Sequence, residues 1–114
     1  MQVVDVKALL GEARKVIMKP DAIVDPETMT FMWIYERTSY KYGYSPEEMI
    51  GKSVMDFSAF PEDEEKKVRE LVKAGQHPDE IVIKAKNGQE MRAKAEHSGV
   101  EFEGKLYLVM KFVD

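Results

Sequence analysis

The residues that could perform acid–base or nucleophilic chemistry are few and stand apart in the sequence. The chain has two histidines, His77 and His97, and neither has a sequence-local partner at a useful spacing. Ser45 and Ser98 lack the setting of a nucleophile elbow, and Ser45 is better explained as a helix cap. General acid–base catalysis requires titratable groups that converge in a pocket. The sequence therefore predicts a protein without catalytic residues, and not an enzyme.

The composition excludes several other classes of site. No cysteine is present, which excludes disulfides and thiolate metal sites, and no metal site is predicted. The net charge of −4 argues against nucleic-acid binding, because phosphate contacts require a basic excess. No apolar run approaches the length of a membrane span, and the N-terminus lacks the features of a signal peptide. We therefore expect a cytoplasmic domain without membrane contact.

The N-terminal segment, residues 1–19, is predicted to be an amphipathic flanking helix. Its apolar residues recur at spacings of three and four, which is typical of a helical seam. The seam consists of Val3, Val6, Leu10, Ala13 and Ile17. Pro20 ends the helix, because the residue before a proline avoids helical angles. The seam either packs on the domain's own sheet or forms a homodimer interface through Val6, Leu10, Ala13 and Ile17, and the pattern leaves both interpretations open.

The middle of the chain predicts a hairpin followed by helices. Residues 22–24 and 29–35 are rich in β-branched and aromatic residues, and a turn at 25–28 separates them. Short helices are expected at 36–42 and 46–50, and residues 54–60 are compatible with a single turn. The clearest helix begins at Pro61, has an acidic first turn and ends at Gly75.

Three more strands are predicted after Pro78. Residues 80–86 and 89–98 alternate between apolar and polar, and the Asn87-Gly88 pair between them favours a tight hairpin. A second turn, placed at 99–104, leads into a strand at 106–113 that is apolar on both faces. These elements predict an α+β fold, with a five-stranded antiparallel sheet, short helices on one face and the N-terminal helix covering the other.

The stretch from Gly43 to Lys52 is distinctive enough to compare with known families. Ser45 and Glu48 have the spacing of a capping box, and Pro46 fits the first helical position. The stretch resembles the GYSxEExxGK signature of PAS domains, which are sensory modules of signalling proteins.

Two further motifs strengthen the resemblance, which covers residues 21–114. Phe60-Pro61-Glu62-Asp63 is similar to the family's His-Pro-x-Asp motif, and Lys84-Ala85-Lys86-Asn87-Gly88 is similar to its Lys-Asp-Gly hairpin turn. The sequence departs from the family at Phe60, where histidine is common, and near Tyr35, where an asparagine usually follows the second strand. The resemblance also implies an ion pair between Glu48 and Lys86.

The resemblance implies a function for residues 20–114 as a PAS-like sensor domain. Such domains are attached to histidine kinases, cyclases, chemoreceptors or transcription regulators. The domain would bind a small ligand or a partner and pass a conformational change to an output domain of the same polypeptide, and it is expected to form a homodimer. The alternative is a ligand-free interaction or dimerisation module. No output-domain pattern is present in this chain, so an input domain separated from its output domain is expected, with a free-standing domain as the alternative.

The resemblance also indicates which ligands are expected. Flavin-binding light sensors of the family use a cysteine and amide side chains on the late strands, and haem-binding members use an axial histidine; this chain matches neither, so neither cofactor is expected. A ligand would be small and largely apolar, with His97 or Tyr40 as a polar anchor. The candidate pocket residues are Trp33, Tyr40, Met55, Ile83, Met91, Ala93, His97, Leu108 and Met110. Small residues such as Ala93 leave room for either a ligand or large neighbouring side chains.

Overall fold

A five-stranded antiparallel sheet forms the centre of the molecule. The structure is a computed structural model that describes residues 4–58, 66, 70 and 80–113. The strands are β1 (Ala22–Asp25), β2 (Thr30–Ile34), β3 (Glu80–Lys84), β4 (Glu90–Phe102) and β5 (Lys105–Val113), and their order in the sheet is β2-β1-β5-β4-β3. The helices are α1 (Val6–Val16), α2 (Glu36–Lys41) and α3 (Pro46–Met49), with a 3-10 helix at Val54–Phe57. The predicted α+β fold is confirmed.

The long helix predicted from Pro61 to Gly75 lies outside the described residues, apart from Lys66 and Glu70. Both of these residues are helical and exposed. The other predicted elements appear within a few residues of their expected positions.

The two faces of the sheet bury different sets of side chains. The cavity face carries alternate residues of β1 and β5, such as Val24, Leu108 and Met110, which pack with α3 and the 3-10 helix. The helix face carries the residues between them, such as Ile23 and Val109, which pack against α1. Because side chains alternate along a strand, the two central strands belong to both cores at once.

Helix α1 covers the helix face. It begins after Asp5, whose carboxylate accepts a hydrogen bond from the Ala8 N–H at 3.1 Å, and it ends at Val16, before the predicted stop at residue 19. Its buried contacts with the sheet come from Leu9 and Ala13, followed by Ile17. Of the predicted seam, Ala13 and Ile17 are buried on the chain's own sheet, Val6 and Leu10 are only partly buried, and Val3 lies outside the described residues.

A β-bulge in β2 decides which side chains reach each face. Val24 pairs with Phe31, but Ile23 pairs with Trp33, so Met32 is an extra residue in the ladder. Phe31 therefore lies on the cavity face, whereas Trp33, two residues later, lies on the helix face.

The β4–β5 hairpin is longer than predicted. The turn expected at 99–104 is wrong for residues 99–102, because the ladder continues to the pairing of Phe102 with Lys105 and turns only at Glu103 and Gly104. Gly99 has a packing role: a Cβ there would lie 3.0 Å from Leu106 Cδ1. Because Gly99 has no side chain, Leu106 Cδ1 can lie close to its backbone. This glycine therefore has a packing role within the strand and does not mark a turn.

The capping box predicted for α3 is confirmed. Ser45 Oγ accepts a hydrogen bond from the Glu48 N–H, and Glu48 Oε1 accepts one from the Ser45 N–H at 3.1 Å. We expect Ser45→Ala to lower the free energy of unfolding by about 1 kcal/mol, because a first-turn N–H loses its acceptor. Ser45→Thr, which retains an acceptor, is the matched control. Equal urea midpoints for wild type and Ser45→Ala would rule out a stabilising cap.

Candidate functional site

The cavity face encloses a cavity of about 40 Å³ between the sheet, α3 and the 3-10 helix. Its lining is almost entirely apolar and includes four aromatic rings and three methionines. The described lining residues are Phe31, Ile34, Tyr42, Met49, Val54, Met55, Phe57, Ser58, Ile81, Val82, Ile83, Met110 and Phe112.

Tyr42 is placed in the cavity wall by the end of α2. Its side chain is buried, and its ring packs edge-on against Phe112 with the centroids 6.3 Å apart. Its carbonyl accepts a hydrogen bond from the Lys86 N–H at 2.9 Å, which joins α2 to the β3–β4 hairpin. The next residue, Gly43, has a φ of +87°, and a Cβ there would lie 3.1 Å from Lys86 Cβ. The glycine permits this close junction.

Phe31 forms the opposite wall of the cavity. The segment after α3 holds its backbone, because the Phe31 N–H donates to the Lys52 carbonyl at 3.0 Å and the Phe31 carbonyl accepts from the Gly51 N–H at 2.8 Å. Its ring lies 5.8 Å from that of Phe57, which in turn packs edge-on against Tyr44 at 4.9 Å. These aromatic contacts connect β2 to the 3-10 helix.

Three of the predicted pocket residues line this cavity, namely Met55, Ile83 and Met110. Leu108 is buried in the same core on the cavity face without being part of the lining. Ala93 lies on this face nearer to β3, where it packs with Tyr42 and Ile83.

The other predicted pocket residues lie elsewhere among the described elements. Met91 is partly buried and borders a surface groove beside the β3–β4 turn. His97 is partly buried opposite Met110 in the β4–β5 ladder but is not part of the lining. Tyr40 is 56% exposed on α2, and Trp33 lies under α1 because of the bulge at Met32.

Sequence reasoning missed much of the cavity wall. Ile34, Met49 and Phe112 could have been found, since Met49 follows the capping box and Phe112 shares a strand face with Met110. Tyr42 could not be distinguished from Tyr40, because the buried residues of α2 itself are the polar Thr38 and Ser39.

The candidate dimer residues divide into two groups. Ala13 and Ile17 are buried on the helix face of the same chain, whereas Val6 and Leu10 are only partly buried.

Residues 4–58, 66, 70 and 80–113 contain no group of histidine, aspartate or glutamate side chains that could hold a metal ion. In the same residues, no helix combines the length and the apolar character that a membrane crossing requires.

An ion pair fixes the β1–β2 turn to β5. Lys105 Nζ donates to Asp25 Oδ2 at 2.8 Å and to Glu27 Oε2 at 3.2 Å, and Asp25 Oδ1 accepts from the Glu27 N–H at 2.9 Å. Burial raises the pKa of the Asp25 carboxyl, but the hydrogen bonds and the positive charge of Lys105 outweigh burial, so the net pKa is lowered. The ionised form of Asp25 is thus favoured by the fold.

The lowered pKa of Asp25 predicts a loss of stability in acid. In the unfolded chain Asp25 takes up its proton near the ordinary pKa of 3.8, before the folded chain does. Its contribution is therefore complete well above pH 3.8 and is lost as the pH falls through the lower folded pKa. We expect the free energy of unfolding to fall less steeply with decreasing pH in Asp25→Asn than in wild type. Urea titrations at several acidic pH values measure both slopes, and equal slopes would contradict the assignment.

A comparison with protein-family models decides which family the chain belongs to. The model described as "PAS domain" matches residues 20–113. The chain belongs to the PAS family. PAS domains are typically sensory, non-catalytic modules, so the general role of this chain is sensory.

Solved PAS domains share the fold at low sequence identity. One from a two-component sensor histidine kinase superposes with a TM-score of 0.67 at 10% identity, covering 96% of this chain and 100% of that one. One from an HTR-like protein of Haloarcula marismortui superposes with a TM-score of 0.61 at 17% identity, covering 96% of this chain and 93% of that one. One from a Desulfitobacterium hafniense protein superposes with a TM-score of 0.59 at 15% identity, covering 81% of this chain and 90% of that one. A comparison with curated protein sequences gives no significant match.

The ion pair that the resemblance to PAS domains implied is confirmed. Lys86 Nζ lies 2.7 Å from Glu48 Oε2, so the second carboxylate oxygen of the capping box contacts the β3–β4 hairpin. The hydrogen bond from Lys86 is the main cause of a lowered Glu48 pKa. Together with the Tyr42 carbonyl, this pair fixes the hairpin beside the cavity wall in this PAS domain.

Proposed function

We propose that this PAS domain is the sensory input domain of a signalling protein, such as a sensor histidine kinase. A change in the cavity alters the packing of α1, and α1 passes it to an output domain of the same polypeptide. The observation that carries the proposal is the alternation in β1: Ala22 and Val24 pack in the core of the cavity face, and Ile23 between them is fully buried against the α1 core. Because packed cores resist continuous deformation, a shift of this strand affects both faces.

The proposed ligand is a small apolar molecule, and the domain is proposed to bind neither haem nor flavin. Pockets for drug-sized ligands usually have about 300–1,000 Å³, so a cavity of about 40 Å³ holds only a few atoms without rearrangement. Met49, Met55 and Met110 line the cavity, and flexible thioether side chains can repack around an entering molecule. The lining therefore supports a compact apolar ligand and a cavity that widens on binding.

Xenon is a suitable probe, because it enters dry apolar cavities without a specific hydrogen bond. We expect xenon to shift the backbone amide resonances of Phe31 and Met110 in the cavity wall, and also those of Leu9 and Ala13 in α1. Val54→Ile is the matched control, since the added methylene extends from a lining residue and should prevent entry. Shifts that are confined to the cavity wall would contradict transmission to α1.

A second function, a ligand-free dimerisation module in the cytoplasm, has its own support. The cavity is small, and α1 leaves apolar side chains incompletely covered: Val6 and Leu10 are partly buried, and Val16 and Met18 are exposed. In this alternative, two copies of the chain associate through α1, and α1 of one copy covers the partly buried and exposed apolar side chains of the other. Ala13 and Ile17 remain in contact with the sheet of their own chain.

Light scattering tests the homodimer through α1, and the xenon experiment above tests whether the domain also binds a ligand. A dimeric mass for wild type that becomes monomeric in Leu10→Glu would support the dimerisation module. Ala8→Glu, which adds the same charge at an exposed position of α1, is the control. A monomeric wild type across the accessible concentration range would contradict an α1-mediated homodimer.

A further inference from the structure

Asp21 connects three parts of the fold at the point where the chain enters the sheet. Its backbone N–H donates to the Met110 carbonyl at 2.8 Å, and its carbonyl accepts from the Tyr35 N–H at 2.7 Å. Its carboxylate accepts one hydrogen bond from the Thr38 hydroxyl and another, at 2.8 Å, from the Phe112 N–H. One residue thus binds to β5, to the start of α2 and to the interior of α2.

The partners of Asp21 belong to the elements that form the cavity wall. Phe112 and Met110 line the cavity directly. Helix α2 ends at Tyr42, which also lines it and packs edge-on against Phe112. An entering molecule that moves Tyr42 or Phe112 therefore displaces the two donors that share the Asp21 carboxylate.

Asp21 also lies near the end of α1 in sequence, and its hydrogen bond to Phe112 places it near the end of β5 in space. It follows Ile17, the last residue of α1's contact with the sheet, by four positions. Its partner Phe112 precedes Val113, the last residue of β5. Because the two oxygens of one carboxylate accept these bonds, a displacement of Thr38 or of Phe112 pulls on the side chain that holds the other donor.

We propose that Asp21 is the positioning residue that couples the cavity wall to α1 and to the end of β5. The inference rests on the proposed sensory function and assigns a route to it. When the cavity is occupied, α2 and β5 shift relative to each other, and Asp21 transfers this shift to residues 17–20 and to Val113.

The experiment compares xenon-induced amide shifts in wild type, Asp21→Ala and Asp21→Asn. In Asp21→Ala we expect the shifts at Phe31 and Met110 to remain and those at Leu9 and Val113 to be weakened, because β1 still contacts both cores. Asp21→Asn should retain all of them, because the amide oxygen can accept from the Phe112 N–H while the NH₂ group donates to the Thr38 hydroxyl. Glu96→Ala, which removes an exposed carboxylate from β4, controls for the change in charge.

The possible results of this experiment separate the role of Asp21 from the sensory function. Full shifts at Leu9 and Val113 in Asp21→Ala would overturn the role of Asp21 and leave the sensory proposal intact. A wild type without xenon shifts at Phe31 and Met110 would overturn the cavity proposal and, with it, this inference. If Asp21→Ala does not fold, Thr38→Val, a near-isosteric change that removes only the α2 bond, takes its place. It should weaken the response at Leu9 and Val113, and an unchanged response would overturn the inference.

Discussion

Phe31→Ala is expected to lower the free energy of unfolding by about 3–5 kcal/mol, the usual cost of deleting a buried aromatic side chain. Phe31 is 5% exposed, and its ring packs against Phe57 in the cavity wall. Truncation removes those contacts and leaves a larger void that the surrounding strands can fill only in part. Urea unfolding at neutral pH measures the loss.

Tyr40→Ala is the control for Phe31→Ala, since it also truncates an aromatic ring but at a position that is 56% exposed. Its expected effect is within about 0.5 kcal/mol. The enlarged cavity of Phe31→Ala should also bind benzene, as dry apolar cavities do, and the ligand should raise the unfolding midpoint of this variant alone. Comparable losses in the two variants would mean that Phe31 does not hold the cavity wall in place.

Leu9→Ala is expected to cost about 2–5 kcal/mol, because Leu9 is fully buried between α1 and the helix face. Helix propensity barely changes with this substitution, so the loss reports on packing between α1 and the sheet. Leu10→Ala is the matched control, with the same chemistry in the same helix at a partly buried position. Similar losses in both variants would indicate that α1 packs on the sheet through a different face.

Helices and strands were predicted well where their signal lies in neighbouring residues of the sequence. Spacing alone identified the capping box of Ser45 and Glu48, and alternation identified the strands around the Asn87-Gly88 turn. The apolar second face of β5 correctly required a covering element, and α1 is that element.

The candidate site was predicted less well, because its residues depend on long-range geometry. Simple alternation would place Phe31 and Trp33 on one face, and only the paired register reveals the extra residue at Met32. Tyr42 and Tyr40 differ in burial because Tyr42 follows the end of α2 and its backbone bonds to the β3–β4 hairpin, a contact between residues 44 positions apart. Gly99 lies in the strand, paired with Leu108, and a turn propensity does not reveal this pairing.

We expect occupation of the cavity to change the packing beneath α1, and the fluorescence of Trp33 can report this change. Trp33 is the only tryptophan of the chain, and it packs in the α1 core on the helix face, whereas the cavity lies on the other face. The most direct measurement is therefore the fluorescence of Trp33 in Phe31→Ala, titrated with benzene until the amide resonances of the cavity wall stop shifting, since thermal stabilisation keeps rising after the site is full. We expect the Trp33 emission to shift along the binding curve. An emission spectrum that stays unchanged at saturation would contradict it.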